Sequence, residues 1–318
     1  LEENLITPAT ILKDEPTNFS NFDEASFFAS YPTKAAALTA LSRDPNAYYK
    51  PVDYDRRWRG SVTVRRALSN SLNVPAVAVL KKVGLQEALN SAKELGITTL
   101  KDSSNYGLSL VLGAGEVKLL ELTNVYAAFA NRGYQGKPIL ILQIFDKQGD
   151  LIYQYEPDQK QVADEKYTFL ISSILSDNKT RAEVFGTTLN ISRPAAVKTG
   201  TTEDYKDAWT LGYTPSVAVG VWVGNNLNQP MDGIAGSLGA APIWKALMEK
   251  VLKGTPVENF EPPPGVLKIG LCGVDPAKVA SSSAGEYFVS GTEPTKGCIE
   301  YPTPSPKPSQ TPNPTPKP

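Results

Sequence analysis

The sequence predicts an α+β fold: an antiparallel β-sheet flanked by helices, then a small C-terminal appendage and a disordered Pro-rich tail. Three observations carry this. Residues 195–202, 207–213 and 217–224 read as successive strands. Amphipathic segments with glycine stops precede them and another follows, so helices cover the sheet. Proline then crowds the C-terminal end, with 14 of the 26 lying after Val251.

In chain order, 62–69 (VTVRRALS) reads as a short helix. A second runs from Pro75 to Val83, since Pro suits a first turn and Gly84 ends it. Residues 86–95 and 117–131 carry apolar positions at helical spacing, each followed closely by Gly. Residues 139–145 and 150–155 flank Asp146-Lys147-Gln148-Gly149, a hairpin signal, and 162–175 reads as helical. Over 217–224, Val217, Val219, Val221 and Val223 fall on one face, with Ala218, Gly220, Trp222 and Gly224 on the other. Thr214-Pro215-Ser216 is a turn, so the last two strands are expected to be antiparallel neighbours. Trp209 and Trp222 read as sheet packing. Pro242 opens a final helix through Leu252.

At about 150 residues per domain, 318 residues suggest one large domain with appendages or two domains. The main domain is placed at 1–253. A linker at 254–264 contains Glu261-Pro262-Pro263-Pro264, which can neither continue a helix nor fill a ladder. Residues 265–300 form the appendage, and 301–318, with Pro at eight of 18 positions, read as an extended, polyproline-like tail. Cys272 and Cys298 both lie in the appendage. A disulfide suits a module too small for an ample core, and would imply an oxidising compartment. Two unpaired thiols are the alternative.

Composition excludes several chemistries. Lys and Arg total 32 against 33 Asp and Glu, a net charge of −1, which argues against a nucleic-acid partner. With no His, a Ser-His-Asp or Cys-His unit cannot form, and a zinc site is out. Any acyl transfer needs another base, and Lys is the candidate. No run of 18 apolar residues and no signal peptide occur. The chain opens at Leu1, not Met, and is read as a piece of a longer protein.

Two short motifs stand out. Lys198-Thr199-Gly200-Thr201-Thr202 sets a cation and three hydroxyls along a strand. Gly200 removes a side chain, so another backbone can approach, and an extended peptide can pair there with its carboxylate at the cation. Ser71-Leu72-Asn73 precedes the Pro75 helix. Its hydroxyl can pass a proton and its carboxamide can donate to a carbonyl, although such residues also serve as ordinary N-caps. The loop from Tyr48-Tyr49-Lys50-Pro51 through Asp53 to Arg59 reads as solvated. A literal Ser-x-x-Lys occurs at Ser176-Asp177-Asn178-Lys179, but it ends a helix and enters a polar loop, so it is set aside.

Ser-x-Asn followed by Lys-Thr-Gly in a His-free chain matches two parts of the Ser-x-x-Lys, Ser-x-Asn, Lys-Thr-Gly set of penicillin-recognising serine enzymes. The blocks WRGSVTVRRALSNSLNVPAVAV, LGAGEVKLLELTNVYAAFANRG, RPAAVKTGTTEDYKDAWTLGYTPSVAVGVWVGN and GAAPIWKALM, in order, closely resemble the transpeptidase domain of class A (bifunctional) penicillin-binding proteins. The likeness runs from about residue 5 to 253. It implies a penicillin-binding-protein transpeptidase or serine β-lactamase-like fold, and peptidoglycan D,D-transpeptidase activity without metal or cofactor. The implied partners are stem peptides ending in D-Ala-D-Ala and β-lactams. An upstream glycosyltransferase domain and membrane anchor, at the extracytoplasmic face of the bacterial cell membrane, are implied for the parent protein.

By the same resemblance Ser71 relays protons near the nucleophile and Asn73 donates to the bound peptide. Lys198 supplies positive potential to its carboxylate. Thr201 contacts that carboxylate and lends its N–H to an oxyanion hole. Thr199, Gly200 and Thr202 line the binding strand. The nucleophilic Ser and its Lys are expected before Leu1, so this stretch alone is expected to be inactive. Two further readings keep the same groove: a non-catalytic cell-wall binding module, and a D,D-carboxypeptidase or β-lactamase-like hydrolase.

Overall fold

In the computed structural model, residues 1–20, 24–43, 49–270, 272 and 285–299 are described. The tail at 301–318, Tyr48 and part of the appendage lie outside them. Strand β1 (Ile11–Asp14) is followed by helices α1 (Glu24–Ala29) and α2 (Lys34–Arg43). Strand β2 (Gly60–Thr63) pairs antiparallel with β1, Ile11 opposite Thr63. Helix α3 (Val64–Ser69) starts directly after it, because the Thr63 hydroxyl accepts the Arg66 N–H at 3.1 Å. The helix expected over 62–69 is therefore a strand–helix junction, in which β-branched Val62 and Thr63 take the ladder.

Helices α4 (Asn73–Val83) and α5 (Leu85–Glu94) meet at Gly84, whose φ of 95° only glycine adopts readily. After α6 (Leu119–Ala130) come β3 (Tyr134–Gly136), β4 (Gln143–Phe145), β5 (Leu151–Gln154) and β6 (Gln159–Gln161). The expected hairpin is β4–β5, and β3 pairs with β6 around it. Asp164 caps α7 (Glu165–Leu175), accepting the Lys166 N–H at 2.8 Å. Helix α8 (Asn178–Phe185) stands where a polar loop was expected; Asp177 caps it by accepting the N–H groups of Lys179 and Thr180 at 3.1 and 3.0 Å.

The central sheet has the order β7 (Ala196–Thr201), β8 (Asp207–Tyr213), β9 (Ala218–Gly224), all antiparallel, and α9 (Ala240–Val251) follows. Its two faces follow the period-two pattern. Val197 and Val221, with Val217, Val219 and Val223 beside them, pack on Trp244 and Met248 of α9. The opposite face carries Ala196 and Tyr213, which pack with Tyr126 of α6 and Leu175 of α7. Glycine sets both spacings. A Cβ at Gly212 would lie 2.5 Å from Trp244, and one at Gly220 would lie 2.1 Å from the Thr123 hydroxyl of α6.

Strands β10 (Val266–Gly270) and β11 (Gly285–Val289) form an antiparallel pair, and Cys272 is disulfide-bonded to Cys298. This pair docks on the main body. Glu286, buried, receives Arg65 of α3 through two hydrogen bonds of 2.6 and 2.5 Å, and Tyr287 packs edge-on to Phe169 of α7.

Candidate active site

Helix α3 ends in a turn that fixes Ser71. The Leu72 N–H reaches the Ala67 carbonyl at 2.9 Å and the Ser71 N–H reaches Leu68 at 3.2 Å, a Schellman closure. Such a closure needs a left-handed residue, and Ser71 takes it at φ 57° although it is not glycine. That costs about 1 kcal/mol relative to glycine, and the surroundings hold it in place. Asn70, buried, donates to the Arg66 and Thr180 carbonyls, both at 3.0 Å, and accepts the Val184 N–H at 3.2 Å. The short turn is thereby bolted to α8.

On the facing strand, the alternation that sends Val197 toward α9 sends Lys198 the other way, toward the α3–α4 turn. The Lys198 ammonium donates to the Ser71 hydroxyl at 2.6 Å and to the Thr199 carbonyl at 2.7 Å. Burial pushes its pKa down to about 8. The two motifs, 127 residues apart in sequence, thus meet through one hydrogen bond.

Asn73 begins α4. Its side chain does not cap the helix; its carboxamide donates to the Val52 carbonyl at 2.7 Å. The cap is Asp53, which accepts the Asn73 N–H at 2.6 Å and the Val74 N–H at 3.4 Å. The loop read as solvated is therefore structural: Asp53 is 2 % exposed, and Arg59 binds Asp55 and Glu183 at 2.6 and 2.7 Å. Asp53 caps and Arg59 bridges, so these charges point inward, while Lys50, Arg56 and Arg57 remain exposed as expected.

Along β7 the threonines differ. Thr202 donates its N–H to the Asp207 carbonyl across the ladder. The N–H of Thr201, one residue back, therefore points to the free edge of the sheet. The Thr201 hydroxyl accepts the Gly236 N–H at 2.9 Å, on the α9 face of the strand and opposite to Lys198. The hydroxyl of Thr202 donates to Asp207 at 2.9 Å and accepts its N–H at 2.8 Å, so it ties the β7–β8 corner and its proton is committed there. A Cβ at Gly200 would meet Trp209 at 3.4 Å, ordinary contact, whereas one at Gly236 would lie 2.4 Å from the Gly200 carbonyl. The close backbone approach on this strand comes from Gly236. Trp209 and Trp222 pack on each other at 6.5 Å, and the Trp222 indole donates to Asp207 at 2.7 Å.

The other Ser-x-x-Lys is split. Ser176 caps the end of α7, Lys179 lies in the first turn of α8, and Lys179 is exposed. A cavity of about 370 Å³ between Thr10 and Phe288, and a smaller one beside Phe129 and Phe260, are lined by none of the motif residues. The candidate site is therefore the edge of β7 facing the α3–α4 turn. Asp53, Asn70 and Gly236 had no local sequence signal; each acts on a segment distant in sequence.

An α+β sheet of this topology, with Lys-Thr-Gly on its edge strand against a Ser-x-Asn turn, defines a penicillin-recognising acyl-transfer fold. Residues 39–249 match the family described as penicillin binding protein transpeptidase domain, and the chain belongs to that family. It is 36 % identical over 258 residues to penicillin-binding protein 1A of Aquifex aeolicus, covering 79 % of this chain and 34 % of the relative. It is 33 % identical over 307 residues to penicillin-binding protein 2D of Bacillus subtilis, covering 92 % of this chain and 40 % of the relative. The chain thus spans well under half the length of these relatives. Among solved structures, penicillin-binding protein 1A from Haemophilus influenzae superposes with a TM-score of 0.72 at 22 % identity, over 91 % of this chain and 46 % of the other. The PonA1 protein from Mycobacterium tuberculosis, solved in complex with penicillin V, gives a TM-score of 0.59 at 25 % identity, over 67 % and 62 %.

Proposed function

We propose that the chain forms the donor-peptide-binding face of a serine D,D-transpeptidase that cross-links peptidoglycan stem peptides outside the cytoplasmic membrane and is acylated by β-lactams. The observation that carries this is the 2.6 Å contact between Lys198 and Ser71 beside the outward N–H of Thr201. A peptide added along the free edge of β7 meets Lys198 on one side and Thr201 on the other. The ammonium offsets the charge of its terminal carboxylate, and the Thr201 N–H faces a carbonyl oxygen as charge develops on it.

Ser71 accepts from Lys198, so its own proton is directed onward. It can hand that proton to the departing D-Ala amine and be reprotonated from Lys198, whose pKa of about 8 suits transfer near neutrality. The acyl group then passes to an amine of a neighbouring strand. The nucleophilic serine and its lysine come, in this reading, from sequence ahead of Leu1, within a parent that also carries a glycosyltransferase domain and an anchor. The main domain ends near residue 253, and 254–264 link it to the appendage.

Labelled penicillin tests the reading. The chain as given is expected to form no stoichiometric covalent adduct, and a chain extended N-terminally through a Ser-x-x-Lys motif is expected to form one. Stoichiometric labelling of the shorter chain places the nucleophile elsewhere. A native extension that carries no such motif and does not label makes the domain a binding module.

A further inference from the structure

Beneath Asn73 lies a group with no part in the scheme above. Asp14, on β1, is fully buried and Asp53 nearly so. Each uses one oxygen on a backbone donor: Asp14 Oδ2 accepts the Arg59 N–H at 2.8 Å, and Asp53 Oδ1 accepts the Asn73 N–H at 2.6 Å. The other oxygens, Asp14 Oδ1 and Asp53 Oδ2, are buried with no donor among the described residues. The two carboxyl groups are hydrogen-bonded to each other, which two carboxylates cannot be, because neither holds a hydrogen.

We infer that Asp14 and Asp53 share one proton between these two oxygens, and that the pair acts as a positioning device setting the start of α4 and, with it, Asn73. One proton satisfies both orphan oxygens at once and removes the repulsion between two buried like charges. The surrounding charge agrees. Arg59 is the nearest cation, but its Nη1 stands 3.9 Å from Asp14 and 3.7 Å from Asp53. Its close contacts go to Asp55 and Glu183, and Arg66 also binds Glu183 at 2.8 Å. Fully ionised, the four carboxyls would outnumber the two guanidiniums. Lys13 and Glu15, flanking Asp14, are exposed and pair with each other at 3.6 Å. Burial and the Asp53 hydrogen bond push the Asp14 carboxyl up to about 7.

The consequence for acyl transfer rests on the transpeptidase reading and on the donation to bound peptide that the resemblance implies for Asn73; the shared proton does not. Two readouts keep these apart. On the chain as given, infrared difference spectra should show one protonated carboxyl persisting to about pH 7 and absent in Asp14→Asn, a substitution that keeps the donor and the shape. The Asn73 amide resonance should titrate with the same midpoint and stay fixed in Asp14→Asn. Absence of a protonated carboxyl between pH 5 and 7, or an Asn73 amide that titrates equally in Asp14→Asn, overturns the inference. In the N-terminally extended chain, penicillin acylation of the wild type relative to Asp14→Asn should fall about tenfold between pH 6 and 8, below the ~10² that a displacement of about 1 Å costs. A ratio flat with pH overturns the positioning role. Absence of acylation in both chains, with the spectra as expected, rejects the transpeptidase reading and leaves the shared proton standing.

Discussion

Two neutral oxygens, Ser71 Oγ and the Thr199 carbonyl, hold the Lys198 ammonium, so burial lowers its proton affinity and no carboxylate among the described residues pairs with it. In the proposed function a ligand carboxylate supplies the counter-charge. Binding of an acyl-D-Ala-D-Ala peptide to this chain should take up protons near pH 8 and weaken as pH rises further; calorimetry in buffers of different ionisation enthalpy reads this, and Lys198→Ala should bind weakly and without proton uptake. Asp14 behaves oppositely to a salt-bridged carboxylate. Its native pKa of about 7 exceeds the ordinary 3.8, so its contribution to stability is full below about pH 4 and lost as pH rises through about 7. Denaturant unfolding should show wild type losing on the order of 1–4 kcal/mol relative to Asp14→Asn across that window; a constant difference contradicts it. Lys198, Ser71 and Asn73 were legible because each sits in a contiguous motif. Asp53 and Asp14 were not, because a carboxyl that caps a helix from another segment leaves no mark near that helix.

The sheet and its helices were legible for a similar reason. The four alternating valines of 217–224 define a strand with one face on α9, and their partners Ala218 and Gly220 leave room for α6. Strands β1 and β2 and helix α8 were not, since their pairing and caps depend on partners far away in sequence. Two glycines transmit the packing. Gly212→Ala should cost roughly 1–3 kcal/mol of stability by overpacking, because its Cβ would lie 2.5 Å from Trp244 and 2.8 Å from the Ala196 carbonyl. Gly236→Ala should act on the site, since its Cβ would press on the Gly200 and Trp209 carbonyls at 2.4 and 2.5 Å. That forces the segment off β7 and breaks the bond to Thr201. Peptide binding should weaken while the α9 face stays packed; unchanged binding removes Gly236 from the site.

At the scale of the whole molecule, the appendage braces α3, the helix that leads into the Ser71 turn. Arg65, in α3, is gripped by buried Glu286, and the disulfide closes the module that carries it. Arg65→Ala leaves a buried carboxylate without its guanidinium and should cost about 3–5 kcal/mol in denaturant unfolding; a loss within about 0.5 kcal/mol, ordinary for surface changes, contradicts the brace. The disulfide followed from the size of the module, whereas the ion pair joins residues 221 apart and had no sequence signal. All of this serves one meeting point, the ammonium of β7 against the hydroxyl of the α3–α4 turn. The most direct test is the rate of penicillin acylation of the N-terminally extended chain, compared between wild type and Lys198→Ala. A slowing of about 10²-fold or more is the predicted result, and an unchanged rate contradicts the assignment of this groove as the acyl-transfer site.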